Sequence, residues 1–207
     1  MKKIVKQLIF FLGLLCLWEL IYQRHIWPPY LFPSPRDVFD ALRAGFADRT
    51  FLVAIGISLR RIAIGFGISV VAGMALGFLI ASSDYLETTL GSLLVSFQSL
   101  PSLCWLPLAV LWFGLNEKAI IFVVVMGSLV SLTISTVTGL RRIPKIYFQA
   151  GRNLGARGPK LFAYVLLPAS LPHLVTGLKQ GWAFAWRSLI SGEMLFVSLG
   201  LGQMLIM

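Results

Sequence analysis

Arg187 is the residue best placed to do chemistry in this chain, because it stands thirteen residues inside an apolar run that begins at Leu174. At about 1.5 Å per residue it lies roughly 20 Å along that run, near the middle of a bilayer. A lone cation there is costly, so two uses stand open. Either it attracts an anionic solute, with Trp182 and Trp186 shaping the way past it, or it is neutralised by a carboxylate. Glu193 follows six residues on, about 120° round the same helix, so a bond within the helix is poor and pairing with another helix stays open. Further polar groups interrupt apolar runs at Gln98, Ser99 and Ser102, beside Pro101, and at Ser131. Gln98, Ser99, Pro101, Ser102, Ser131, Trp186, Arg187 and Glu193 therefore form a candidate path through the membrane.

Other chemistries lack their parts. There is no Gly-x-x-x-x-Gly-Lys-Ser/Thr loop to cradle phosphates, so a nucleotide, if one drives the protein, binds another polypeptide. No Gly-x-Ser-x-Gly elbow and no His-Glu-x-x-His pair is present, and the reading is of a non-catalytic chain. His25 and His173 are isolated, so no metal site is expected. Cys16 and Cys104 sit in apolar runs and read as small buried hydrophobes, without a disulfide framework.

The surroundings of these residues define the class. Of 207 residues, 57% are hydrophobic and only 13% charged, well above the apolar content of soluble domains. This reads as an all-α integral membrane protein with about five transmembrane helices. The net charge of +10 is spread between apolar runs, with no basic helix interleaved with stacking aromatics, so it points to membrane lipid and orientation rather than nucleic acid.

Residues 1–23 form an N-terminal transmembrane helix, whose Lys2, Lys3 and Lys6 suit either a signal peptide or a retained helix with its start inside. Leu15 before Cys16 is wrong for a lipoprotein cleavage box, and the retained helix is preferred. Residues 24–57 form an external polar segment: Ser34 can cap a short helix, Pro35 suits its first turn, and Val38, Phe39, Leu42 and Phe46 give it one apolar face. Residues 58–207 hold the remaining spans. Ile62 to Ala81 contains the Gly73/Gly77 pair, which favours close helix packing. Leu90 to Trp112 is interrupted by Pro101 and Pro107 and should face protein or a cavity. Ala119 to Val137 carries Ser128, Ser131, Thr133, Ser135 and Thr136, which either line a path or bond their own helix carbonyls. Leu174 to Ser198 is the fifth.

Between the last two spans lies a polar island, 141–172, with Arg141, Arg142, Lys145, Arg152, Arg157 and Lys160 and no acidic residue. Pro144, Pro159, Pro168 and Pro172 should break any continuous helix there. Lys145 to Leu154 can form one helix ended by Gly155, and a second can start at Pro159 with Leu161, Phe162, Val165 and Leu166 on one side. The pair would make a basic helical hairpin with an apolar seam, and small Ala150, Gly151, Gly155 and Ala156 leave room for another surface to approach.

Gln149-Ala150-Gly151, three residues, Gly155, nine residues, then Val165-x-Leu167-Pro168 resembles the EAA loop of ABC-importer permeases, Glu-Ala-Ala-x3-Gly-x9-Ile-x-Leu-Pro. All spacings agree, while Gln149 replaces the glutamate, Gly151 an alanine and Val165 an isoleucine. Leu100-Pro101, Pro107-Leu108, Leu111-Trp112-Phe113-Gly114, Leu171-Pro172 and Gly192-Glu193-Met194-Leu195 extend the likeness, which is closest to the nitrate, sulfonate and taurine branch and covers most of the chain beyond Leu31.

The resemblance implies a type I importer fold lacking the family's last helix, since similar permeases continue with one more. It implies a bacterial inner-membrane protein importing a small, anionic solute of the sulfonate, taurine or nitrate kind. Partners would be ABC ATPase subunits carrying ATP-Mg, an extracytoplasmic solute-binding protein and a second permease copy, with no cofactor on this chain. The ATPase would receive Gln149, Ala150, Gly151, Gly155, Ala156, Arg157, Pro159, Val165, Leu167 and Pro168. Four crossings return Arg141 to the side of Lys2, so N-terminus and loop would both be cytoplasmic, as basic segments prefer, and Met207 outside. Arg24, Arg36, Arg43, Arg49, Arg60 and Arg61 would then fall outside or at the outer interface, only partly offset by Asp37, Asp40 and Asp48. The alternative is an ATP-independent secondary transporter or channel, for which a broken helix and intramembrane charges serve equally.

Overall fold

The computed structural model describes residues 2–196 and 199–204, and every regular element among them is helical. The expected outer position of Met207 lies outside the described residues. The chain divides into two compact units, Met1–Val53 and Ala54–Met207.

In the first unit, α1 (Lys2–Gln23) carries the first apolar run and α2 (Pro35–Ala47) follows a Pro-rich turn. The start of α2 is written locally. Ser34 Oγ accepts the Asp37 amide at 3.0 Å, the Asp37 carboxylate accepts the Ser34 amide at 3.1 Å, and Pro35 occupies a first-turn position whose amide has no helical partner. The Trp18 indole donates to the Pro33 carbonyl at 3.0 Å, tying the turn to α1.

The second unit is built on α3 (Thr50–Ala81), α4 (Asp84–Gln98), α5 (Ser102–Phe113), α6 (Glu117–Arg141), α7 (Lys145–Asn153), α8 (Leu167–Leu195) and a last turn α9 (Leu201–Met204). Glycines set the spacing of its central helices. Gly65, Gly73 and Gly77 of α3 lie on Val124, Leu132 and Thr136 of α6, so positions advance together and the two helices run in the same direction. Across the other seam Gly139 meets His173, Gly181 meets Leu132 and Gly192 meets Ile120, so α8 runs antiparallel to α6. In lipid, where apolar surface gains nothing by leaving water, such close approach is the main source of helix association. Ile62, Ala109, Ala119, Ile120, Val123, Val124, Ala185 and Leu189 fill the space between and are closed to solvent.

Two helices running the same way require a return between them. Arg141, at the end of α6, pairs with Asp84 at the start of α4, while Arg60 of α3 pairs with Glu117 at the start of α6. The stretch α4–α5 therefore travels from one end of the unit to the other. Ile4–Gln23, Thr50–Ala81 and Glu117–Arg141 are each long and apolar enough to cross a membrane, and α4 with α5 qualifies as a broken span bent by 100°. At 29 residues α8 is as long, but Lys179, Gln180, Arg187 and Glu193 keep it below that apolarity.

Several expectations are corrected. The second span starts at Thr50 rather than Ile62, because a helix continues through Arg60 and Arg61 once carboxylates receive them. The third is an elbow rather than one interrupted helix: Pro101, which cannot donate an amide, takes an extended conformation at φ −57° and ψ 137°. Pro168 and Pro172 do not end the island. A single turn at Pro159–Leu161 and a π turn at Phe162–Leu166 lead directly into α8, Pro168 lies in its first turn, and Pro172 is accommodated inside it. Cys16 and Cys104 are exposed, since apolar runs here supply the outer surface of the chain as well as its core.

Candidate functional site

At the elbow, Ser99 and Leu100 end α4 with short-range bonds to the Ser96 and Phe97 carbonyls, and Cys104 restarts the chain by donating to the Pro101 carbonyl at 2.9 Å. The corner leaves Gln98, Ser99 and Ser102 facing a cavity of about 440 Å³, whose other walls come from α6 and α8. Ser131 enters from α6 and Arg187 from α8, beside Phe184, whose ring centroid is 5.7 Å from the guanidinium carbon. Among the described residues no carboxylate pairs with Arg187. Ser131 is 2% exposed, yet its hydroxyl has no hydrogen-bond partner, unlike Ser128, Thr133 and Thr136, which donate to carbonyls one turn back. A buried hydroxyl left without a partner costs about 1–3 kcal/mol, so the cavity lining offers an unused donor and an unpaired cation.

A second polar centre joins α3, α8 and the last turn. Glu193 is closed to solvent, and its carboxylate lies 2.9 Å from Arg61 Nη1. The Ser58 hydroxyl sits 2.8 Å from both carboxylate oxygens, and the Gly202 amide donates to Oε2 at 2.9 Å. Ser58 Oγ in turn accepts the Leu201 amide at 2.9 Å, and Arg61 donates to the Leu199 carbonyl at 3.1 Å. Gly200 and Gly202 allow the backbone this close: a Cβ on either would lie within 2.6 Å of Glu193 atoms.

At the opposite end, the hairpin folds as α7 and the turn from Pro159. Gly155 at φ 82° and Gly158 at φ 53° supply left-handed positions that disfavour side chains, and the Ala156 amide closes α7 on the Gly151 carbonyl at 2.9 Å. Gly151 is buried against Leu161 and Val165, which forms the apolar seam. Gln149, Lys145 and Arg152 line a cavity of about 670 Å³ with Phe78, Phe162 and Leu166, and Arg141 on its wall is held by Asp84 and Glu87. Outside the seam Ile146, Tyr147 and Leu154 are exposed, Leu154 at 88%, as are the basic residues Arg142, Lys145, Arg152 and Arg157 of the same stretch.

Residues 69–207 match the family of binding-protein-dependent transport system inner membrane components. The chain belongs to this family of ABC-importer permeases. It is 28% identical over 196 residues to the taurine transport system permease protein of Escherichia coli K12, covering 92% of this chain and 71% of that one. It is 32% identical over 195 residues to the formylaminopyrimidine transport permease protein of Halalkalibacterium halodurans, covering 94% and 77%. Against the nitrate import permease protein of a Synechocystis species it is 32% identical over 158 residues, covering 76% of this chain and 58% of that one.

The permease gathers Gln98, Ser99, Pro101, Ser102, Ser131 and Arg187 around one cavity, and leaves two candidates elsewhere. Trp186 packs edge-on to Trp182 at 6.0 Å and against the core, and Glu193 belongs to the Arg61 centre. In the hairpin, Gln149, Ala150, Gly155, Arg157 and Pro168 are exposed, Ala156, Val165 and Leu167 half-buried, and the Pro159 side chain lies outside those described. Arg61 and Ser58 are the functional-looking residues that sequence reasoning passed over. The available signal was that the Arg60-Arg61 pair and Glu193 each border an apolar run.

Proposed function

We propose that this permease is the membrane subunit of an ATP-driven importer for a small anionic solute, with hydrolysis on a separate ATPase that carries ATP-Mg. The observation that carries the reading is the basic hairpin from Lys145 to Leu167, which presents exposed Ile146, Tyr147 and Leu154 together with exposed Lys145, Arg152 and Arg157 at the end of the long helices. Exposed apolar side chains set among charged ones suit a protein docking surface. It has no evident use in a carrier that works alone. The nitrate relative favours an anion, as does Arg187 in the elbow cavity, whereas the taurine relative, named for a zwitterion, and the formylaminopyrimidine relative widen the field.

In this reading a second permease copy completes the pathway, and a solute-binding protein delivers to the end that holds Arg61 and Glu193. The N-terminus and hairpin face the cytoplasm. The test is co-expression of the permease with the ATPase and binding protein from the same source, followed by uptake into proteoliposomes. Copurification through the hairpin and uptake that needs ATP are expected. Solute movement by the permease alone would instead establish the secondary-transporter alternative.

A further inference from the structure

We propose that the elbow cavity is a solute-selecting site within the membrane subunit, built for an organic oxyanion whose charged head meets Arg187 and Ser131 and whose short apolar body lies on an aromatic wall. The proposal rests on the transport reading above and adds a ligand class and the residues that choose it.

Three observations carry it. First, Arg187 is exposed on the cavity and has no carboxylate partner among the described residues, whereas the buried Arg61 is neutralised by Glu193 at 2.9 Å. A cation left unpaired on a cavity otherwise lined only by neutral residues is open to an anion that arrives. Second, the Ser131 hydroxyl is buried and unsatisfied on the same cavity wall, while its neighbours on α6 bond their own helix. An anionic oxygen accepts from both at once: the guanidinium fork can take two oxygens of one head and the hydroxyl a third. Third, the remaining lining is selective by composition. Phe97, Leu103, Trp105, Val130 and Phe184 offer apolar surface, and no lining residue is acidic.

These features discriminate. A volume of about 440 Å³ lies within the roughly 300–1,000 Å³ of organic-ligand pockets, and a bare inorganic anion would leave the aromatic wall facing water. A zwitterion would bring an ammonium with no carboxylate to meet it beside an existing cation. The site therefore favours a net-anionic organic acid over both nitrate and an aminosulfonate.

The experiment uses the permease copurified with its ATPase in lipid nanodiscs, without binding protein, and measures binding of ethanesulfonate, nitrate and taurine by titration calorimetry. Saturable ethanesulfonate binding is expected, with nitrate and taurine at least tenfold weaker. Arg187→Gln should weaken ethanesulfonate at least tenfold and Ser131→Ala about tenfold, with Arg187→Lys between Arg187→Gln and wild type. Lys179→Gln, exposed on the same helix outside the cavity, should leave affinity unchanged. Equal ethanesulfonate affinity in wild type, Arg187→Gln and Ser131→Ala overturns the site, as does equal binding of nitrate or taurine. Retained ATPase association in each variant shows that it is folded. Failure of the wild type to associate with the ATPase refutes the importer reading, whereas intact association and ATP-driven uptake without ethanesulfonate binding refutes the site alone.

Discussion

Removing the Glu193 carboxylate is the most searching perturbation of this fold. Glu193→Ala deletes the partner of Arg61 at 2.9 Å, the acceptor of the Ser58 hydroxyl at 2.8 Å and the acceptor of the Gly202 amide at 2.9 Å, all at positions nearly or wholly closed to solvent. Two unit charges about 4 Å apart at an effective dielectric near 20 attract by about 4 kcal/mol, and breaking a buried pair on one side costs about 3–5 kcal/mol because the survivor stays buried. Glu117 compensates weakly, lying 3.5 Å from Arg61 Nε, an atom that makes no hydrogen bond. Each of Glu193→Met and Arg61→Met should therefore lose about 3–5 kcal/mol of stability, measured by SDS-driven unfolding in mixed micelles followed by circular dichroism. The double variant Arg61→Met/Glu193→Met leaves neither charge stranded, and should recover at least about 2 kcal/mol of the summed loss. Additive losses, with a coupling below about 0.5 kcal/mol, would refute the buried pair as an energetic unit.

Gly77→Ala puts a Cβ 2.5 Å from Thr136 Cβ and 3.0 Å from the Thr133 carbonyl, and should cost about 1–3 kcal/mol in the same assay, whereas Gly67→Ala, with nothing within 4 Å, should be neutral. Gln149→Glu restores the charge borne by similar loops at an exposed position, and should tighten ATPase association about threefold or less, the scale of an exposed ion pair, as read by surface binding. The Asp48 carboxylate, accepting the Thr50 amide at 2.9 Å, titrates below its usual 3.8. Its contribution is thus present above the unfolded value and lost as pH falls through the lower folded one. The Thr50 amide resonance should shift with a midpoint below 3.8, and Asp48→Asn should abolish that shift.

What could be read in advance was whatever a few neighbouring residues decide. The cap at Ser34, the α7 hairpin turn at Gly155 and the glycine seam at Gly73 and Gly77 follow from local conformation and size, and each stands where its pattern puts it. The grouping of Gln98, Ser102, Ser131 and Arg187 was legible as a set of misfits in apolar runs, because polarity in lipid is rarely idle. Their meeting around one cavity was not, since it depends on the 100° bend at Pro101 and on which faces α6 and α8 turn toward it. Arg61 and Glu193 are 132 positions apart, and no periodicity connects residues at that distance. The continuity of the hairpin with α8 was hidden for the opposite reason: prolines argue locally for a break that one π turn removes.

That continuity has a mechanical consequence. From Leu167 to Arg187 is twenty residues of one helix, a rod of about 30 Å with the hairpin at its foot and the cavity wall near its far end. On the proposed docking, a push on the hairpin would be delivered along this helix through one joint, the wide turn at Phe162–Leu166, packed through Phe162 on Phe78 at 5.0 Å. How far that joint yields decides whether a thrust at the foot swings the Arg187 guanidinium or is absorbed before reaching it.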